Sequence, residues 1–173
     1  MKNFLSLLAI ALVITSCSSD DDNGGETASL VGTWKMTSFG GESTIDIDMD
    51  GSASSNLLIE TNCYQNETLT FADNGTGVST STSYAEITLD ISSDAPEGGE
   101  YTIECIEEIE ISPLTFTQSG NTVDIDSDGE SIEAELSGNT MTIVIPSGYF
   151  VDVVEGDGSA VLIEDLTIVY QKQ

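Results

Sequence analysis

The chain has 173 residues and carries 31 acidic side chains against 3 basic ones, with no His, for a formal net charge of −28. All the basic residues are Lys (Lys2, Lys35 and Lys172), so a nucleic-acid partner is excluded for want of cations to neutralise phosphates. Without His, a Ser-His-Asp or Cys-His nucleophile and a His-ligated zinc site are excluded as well. A hydrophobic fraction of 39% is enough for one core, and the high charge favours a soluble monomer.

At the N-terminus, Lys2 precedes an apolar run from Phe4 to Ile14 that is too short to span a bilayer as a helix and fits the apolar region of a signal peptide. Val13-Ile14-Thr15-Ser16-Cys17 resembles a bacterial lipobox, with Ile14 where Leu is commoner. The resemblance implies cleavage before Cys17 and lipid on its thiol and amino group. The following Ser18-Ser19-Asp20-Asp21-Asp22 is similar to the export signal that sends Bacteroidota lipoproteins to the outer face of the outer membrane. The expected organisation is a signal peptide over 1–16, a lipidated Cys17 with an acidic flexible tether over 17–29, and a folded domain over 30–173. The expected address is the bacterial outer membrane, lipid-anchored and exposed at the surface.

The domain reads as short strands. Leu30 to Phe39 alternates, with Trp34 and Met36 on one face. Ser43 to Met49 is expected to be a strand with Ile45, Ile47 and Met49 on one face and Asp46, Asp48 and Asp50 on the other. Leu57 to Glu60 is a short segment, and Glu67 to Ala72 places Leu69 and Phe71 inward. Asp73-Asn74-Gly75 is a hairpin signal, so Thr76 to Ser83 returns antiparallel. Tyr84 to Ile91 is a further strand, and Asp94 to Gly99 a loop by composition. In Tyr101 to Ile111, Cys105 and Glu107 share a face with Tyr101 and Ile103, which predicts a bulge near Glu107. Leu114 to Gln118, Val123 to Asp126, Ile132 to Leu136, Met141 to Ile145, Tyr149 to Val154 and Val161 to Tyr170 complete the series. About ten strands joined by short turns predict an antiparallel meander, closed as a barrel or stacked as a sandwich.

Gly32-Thr33-Trp34 stands at the start of the first strand as the Gly-x-Trp of lipocalins does. With Leu30-Val31 before it, Thr68-Leu69-Thr70-Phe71 after Cys63, the Asp73-Asn74-Gly75-Thr76 turn, the Ser-Gly-Asn-Thr turns at 119–122 and 137–140, and the closing Thr167 to Lys172, the chain resembles the lipocalin-like domain of Bacteroidota lipoproteins. The resemblance implies an up-and-down β-barrel of about eight to ten strands, with Gly32, Trp34 and Lys172 closing one end. Lipocalins place an Arg of the last strand across the Trp. This chain has none, and Lys172 is the candidate, contributing about 0.5 to 1 kcal/mol as a cation over the indole.

Cys63 and Cys105 lie in what is expected to be an oxidising compartment, and a disulfide between them is the simplest reading. Two segments share an Asp-x-Asp-x-Asp-Gly pattern. Asp124, Asp126 and Asp128 with Glu135 match the spacing of a Ca²⁺ loop, whereas Asp46, Asp48 and Asp50 have Leu57 where the bidentate Glu belongs. Three alternate carboxylates can converge on one hard cation once a glycine turns the chain, but strand alternation would instead set them in an outward row. No carboxylate pair is singled out for hydrolysis, and Glu104, Glu107, Glu108 and Glu110 read as a solvated strand face. A non-enzymatic protein is therefore expected, without cofactor unless Ca²⁺ binds. One reading is a barrel that binds a small hydrophobic ligand in its mouth. The other is a filled barrel whose acidic face binds a protein partner or Ca²⁺. Small inward residues at one end would favour the first, and large ones throughout the second.

Overall fold

Alternation of apolar and polar residues resolves into eight antiparallel strands: β1 (Gly32–Gly40), β2 (Thr68–Phe71), β3 (Thr76–Asp90), β4 (Glu100–Ser119), β5 (Thr122–Ser127), β6 (Glu130–Ser137), β7 (Thr140–Glu155) and β8 (Gly158–Lys172). They pair in sequence order, and β1 also pairs with β8, so the sheet is a closed barrel. These features come from a computed structural model that describes residues 29–90, 100–155 and 158–173. The expected signal peptide, Cys17, the acidic tether up to residue 28 and the 94–99 loop lie outside the described residues.

Closure explains the register. Trp34 pairs with Leu69 on one side and Lys172 on the other. Inward positions carry the core: Trp34, Met36, Leu69, Phe71, Val123, Leu136 and Met141 are all buried. Outward positions carry the acids, as at exposed Asp124, Asp126, Glu133 and Glu135. The turns follow local chemistry. Asn74 accepts from the N–H and the hydroxyl of Thr76 at 3.1 and 2.7 Å, Gly75 takes φ 79°, and Ala72 N–H donates to the Thr76 carbonyl at 2.8 Å, which closes the β2–β3 hairpin.

Fewer and longer strands form than alternation alone predicts. Thr76 to Ser83 and the described part of Tyr84 to Ile91, up to Asp90, merge into β3, and Tyr101 to Ile111 and Leu114 to Gln118 merge into β4. A β-bulge absorbs the phase change: Ser81 pairs with Glu110 and Ser83 with Glu107, leaving one extra residue on β4. Beyond it, Cys105 opposes Ala85 and Ile103 opposes Ile87, so the face that alternation broke is restored. The β3–β4 and β7–β8 hairpins overhang one rim of the barrel. The connection from 41 to 67 and the turn at 128–129 lie at that rim too. The opposite rim carries Gly32, the turn at Gly75 and Lys172.

The expected strand from Ser43 to Met49 does not form. β8 takes one edge of β1, β2 takes the other at Gly32–Lys35, and beyond that the Asn56 side chain holds Phe39 N–H and the Thr37 carbonyl, so this segment joins no ladder and keeps only an isolated bridge, Ile45 to Ser54. Side chains satisfy its backbone instead: Gly51 N–H donates to Asp46 at 3.0 Å, Asp50 N–H to Asp48 at 3.1 Å, and Ser52 N–H to Asp50 at 2.8 Å. Leu57 to Glu60 is a single helical turn, α1 (Leu57–Glu60), whose N-cap Asn56 accepts from Leu58 N–H.

The Cys63–Cys105 disulfide, with 5.5 Å between the Cα atoms, fastens the β1–β2 connection to the overhanging part of β4. It joins residues 42 apart in sequence. Replacing both cysteines with Ser is therefore expected to lower stability by about 3 to 4 kcal/mol in the chain-entropy picture, read as a drop in the urea midpoint with a retained β-type circular dichroism spectrum.

Candidate functional site

The closed end of the barrel is built around Trp34, which has no solvent exposure. Its indole N–H donates to the carbonyl of Leu30 at 2.7 Å, folding the segment before β1 under the barrel. The Lys172 ammonium lies 5.5 Å from the indole ring centroid and donates to the carbonyl of Ser29 at 2.6 Å. Gly32 has φ 132°, and a Cβ there would come within 3.1 Å of Lys172 Cε, so the glycine serves both the backbone and the lysine's path. Above this plug, Phe71, Val123, Leu136 and Met141 leave no room for a ligand.

Toward the other rim the packing thins into a half-open cavity of about 270 Å³. One wall is apolar, from Leu69, Leu114, Ile125, Ile143 and Ile168. The other is polar, from Ser79, Ser81, Ser112, Ser127 and Glu110. The register explains the division: Leu69 faces Ser79, Ser79 faces Ser112, and Ser81 faces Glu110 across successive strands. Where these inward positions hold serine instead of a branched aliphatic side chain, space remains. This serine wall is not among the inward residues that alternation singles out at Trp34, Met36, Leu69 and Phe71, all of them large. The alternation of Gly77, Ser79 and Ser81 in phase with Leu69 was the signal that could have found it.

Tyr170 lines the cavity between plug and mouth and is 9% exposed. Burial, and secondarily the charge of Glu67, push its hydroxyl up to about 12. Glu67 is itself buried and accepts from the Thr82 N–H at 2.9 Å, the Thr82 hydroxyl at 3.1 Å and the Ser83 N–H at 3.2 Å. It thereby occupies backbone donors of β3 at the bulge, where the ladder to β4 is interrupted. Glu164 of β8 does similar work for the 41–67 connection. It accepts from Glu42 N–H at 2.7 Å, Ser43 N–H at 2.8 Å and the Ser43 hydroxyl, and these bonds lower its pKa.

The acidic pattern expected to hold Ca²⁺ at Asp124, Asp126, Asp128 and Glu135 is not brought together. Asp124 and Asp126 are alternate residues of one strand, opposite Glu133 and Ser131, and Glu135 lies opposite Thr122. Alternate residues of a strand are about 6.6 Å apart and point the same way, so these side chains form the outward row that strand alternation implied. Asp128 is in the β5–β6 turn with φ 53°. The other Asp-x-Asp-x-Asp-Gly segment, freed from strand geometry, does converge: one carboxyl oxygen from each of Asp46, Asp48 and Asp50 lies within 4.8 Å of the others.

A family model described as a lipocalin-like domain matches residues 30–143, from the Trp34 plug through the start of β7. No curated protein and no solved structure matches the chain.

Two measurements probe the plug and the cavity wall. Lys172→Met is expected to lower the denaturant-derived stability by about 0.5 to 1 kcal/mol through loss of the cation over the indole, with a change in Trp34 fluorescence. For Tyr170, the folded state holds its proton more tightly than an unfolded tyrosine of pKa about 10, so its contribution is intact below pH 10 and is lost as pH rises from 10 through 12. Stability should fall by about 2 to 3 kcal/mol over that window, and Tyr170→Phe should remove that part of the slope in urea midpoints measured against pH.

Proposed function

The chain belongs to the lipocalin-like domain family, and from that premise we propose that its barrel binds a small, mostly apolar molecule in the half-open cavity, without turning it over. The observation that carries this reading is the cavity itself, about 270 Å³ between a sealed base and an open rim. That volume is near the lower end for small-molecule sites, so the cavity fits one compact ligand or one end of a longer one. The apolar wall gives the affinity, and the serine wall with Glu110 sets the orientation of any hydrogen-bond donor the ligand carries.

We further propose that the protein is a lipoprotein anchored at the outer membrane through Cys17, on the strength of the lipobox-like Val13 to Cys17 and the acidic run after it. The placement of Ser29 supports a workable geometry. It lies at the sealed base, held by Lys172, so the described domain begins at the end away from the mouth.

Binding can be read with a neutral naphthylamine probe whose fluorescence rises in apolar surroundings. The wild-type chain should bind it saturably. Filling the serine wall with Ser79→Leu and Ser112→Leu together should weaken the probe roughly tenfold or more, a loss of about 1.4 kcal/mol, while the circular dichroism spectrum stays unchanged. A wild-type chain that gives no saturable signal, and no co-purified adduct in native mass spectrometry, would overturn the reading.

A further inference from the structure

We propose that the molecule held in the half-open cavity is an apolar primary amine, with its ammonium group on Glu110 at the rim and its apolar part directed toward Tyr170; this rests on the cavity being a ligand site. A gradient of polarity along β4 is the first observation. Leu114, Ser112 and Glu110 are alternate residues that all line the cavity, and they pair with Gly77, Ser79 and Ser81 of β3. The turn at Gly75 lies at the sealed base, so this order runs from deep to shallow: an aliphatic side chain, a hydroxyl, then a carboxylate. At about 3.3 Å per residue, Leu114 and Glu110 are about 13 Å apart along the strand. A molecule lying on this wall meets apolar surface at one end and a negative charge at the other.

The second observation is that this charge has no partner within the protein. Glu110 is the only charged side chain lining the cavity. Among the described residues, nothing donates a hydrogen bond to its carboxylate, and the hydroxyls of Ser81 and Ser112 are not engaged either. No basic group reaches the cavity. The chain has no Arg or His, and the described residues contain only two Lys. Lys172 lies over Trp34 at the sealed base. Lys35 alternates with the buried Trp34 and Met36, so it faces outward. The negative potential also extends inward: after burial, the charge of Glu67 is the second cause that raises the Tyr170 hydroxyl at the deep end.

The ligand's charge follows from these two observations. A ligand bearing a carboxylate would set like charge beside Glu110, in a chain of net charge −28 and in a cleft whose apolar wall focuses the field. A neutral ligand that covers the rim would strip water from the Glu110 carboxylate and give nothing back. An ammonium group supplies the opposite charge and three N–H donors. One donor meets Glu110, and the others meet acceptor hydroxyls close by: Ser81, directly opposite across the β3–β4 ladder, and Ser112, two residues along the same face of β4. The apolar wall then takes the rest of the molecule.

Displacement of the neutral naphthylamine probe by decylamine, decanol and decanoate tests this, with each competitor kept below its micelle concentration in about 150 mM salt to screen diffuse binding. The three share one alkyl chain and differ in the charge of the head. In the wild type, decylamine should displace the probe at about one-fifth the concentration of decanol, and decanoate should be the weakest. Glu110 is exposed, so the fold should survive its replacement. Glu110→Gln should bring decylamine and decanol to equal affinity, and Glu110→Lys should invert the order in favour of decanoate. Asp124→Asn removes one exposed charge from the outer face of β5 and should keep the wild-type order. Equal displacement by amine and alcohol in the wild type overturns the proposal and leaves the cavity a ligand site. So does an amine preference that survives Glu110→Gln or is lost in Asp124→Asn. A wild type that binds no probe overturns the ligand site and the proposal together.

Discussion

Closing a sheet on itself consumes both edges of its first strand, and the rest of this structure is arranged around that constraint. β1 gives Gly32–Lys35 to β2 and Trp34–Gly40 to β8. Beyond Lys35 the Asn56 side chain takes the β1 edge that β2 leaves, so the long connection that follows has no edge to pair against and its backbone must find other partners. It finds carboxyl groups: Glu164 for residues 42 and 43, Glu60 for Ile47, and the aspartates for Asp50, Gly51 and Ser52. A segment with the alternation of a strand becomes an irregular loop because no ladder is left for it, and its aspartates converge for the same reason.

The same closure sets what the interior can hold. A barrel of eight strands has room for side chains or for one small ligand, and the choice between them is made position by position. At the base the inward residues are large, and Trp34 is locked from both sides by the Leu30 carbonyl and Lys172. Higher up, β3 contributes Gly77, Ser79 and Ser81 inward, and β4 answers with Ser112 and Glu110. A Cβ on Gly77 would come within 2.5 Å of the Thr70 carbonyl oxygen and 2.7 Å of Leu114 Cδ1, so that glycine is small because the β2 backbone and Leu114 both press on it. The serines line the open volume instead. Small side chains in one barrel thus do two different jobs, and only the packing distinguishes them.

Most of the barrel was legible in sequence because strand alternation and turn chemistry are local. Leu69 and Phe71 inward, the Asn74-Gly75 turn, and the bulge demanded by the phase break near Glu107 all follow from neighbours within a few residues. The disulfide was legible from count, since two cysteines offer one pairing within the domain. What was not legible depends on edges and closure. Asp46 to Asp50 and Asp124 to Asp128 carry the same residue pattern, and one segment lies along a paired strand while the other does not. Nothing within either stretch says which, because the deciding fact is whether a neighbouring strand has a free edge. The serine wall escaped for a related reason: searching for a core selects large residues, and a cavity is defined by where they stop.

The charge gives these arrangements a common logic. With 31 acidic residues and 3 basic ones, the chain cannot neutralise its carboxyl groups by pairing. Exposed acids on the outer face of the barrel are solvated and screened by salt, at small cost. The acids drawn inward need donors, and here those donors are chiefly backbone N–H groups left over where the sheet is interrupted. Glu67 takes the donors of Thr82 and Ser83 at the β3 bulge, and Glu60 takes the donor of Ile47 in the loop. Irregular backbone and buried acid therefore solve each other's problem, one supplying unpaired N–H groups and the other unpaired oxygens. Asp46 is where this exchange falls short by one partner. The loop offers one N–H group, that of Gly51, to Asp46 Oδ2 and none to Oδ1.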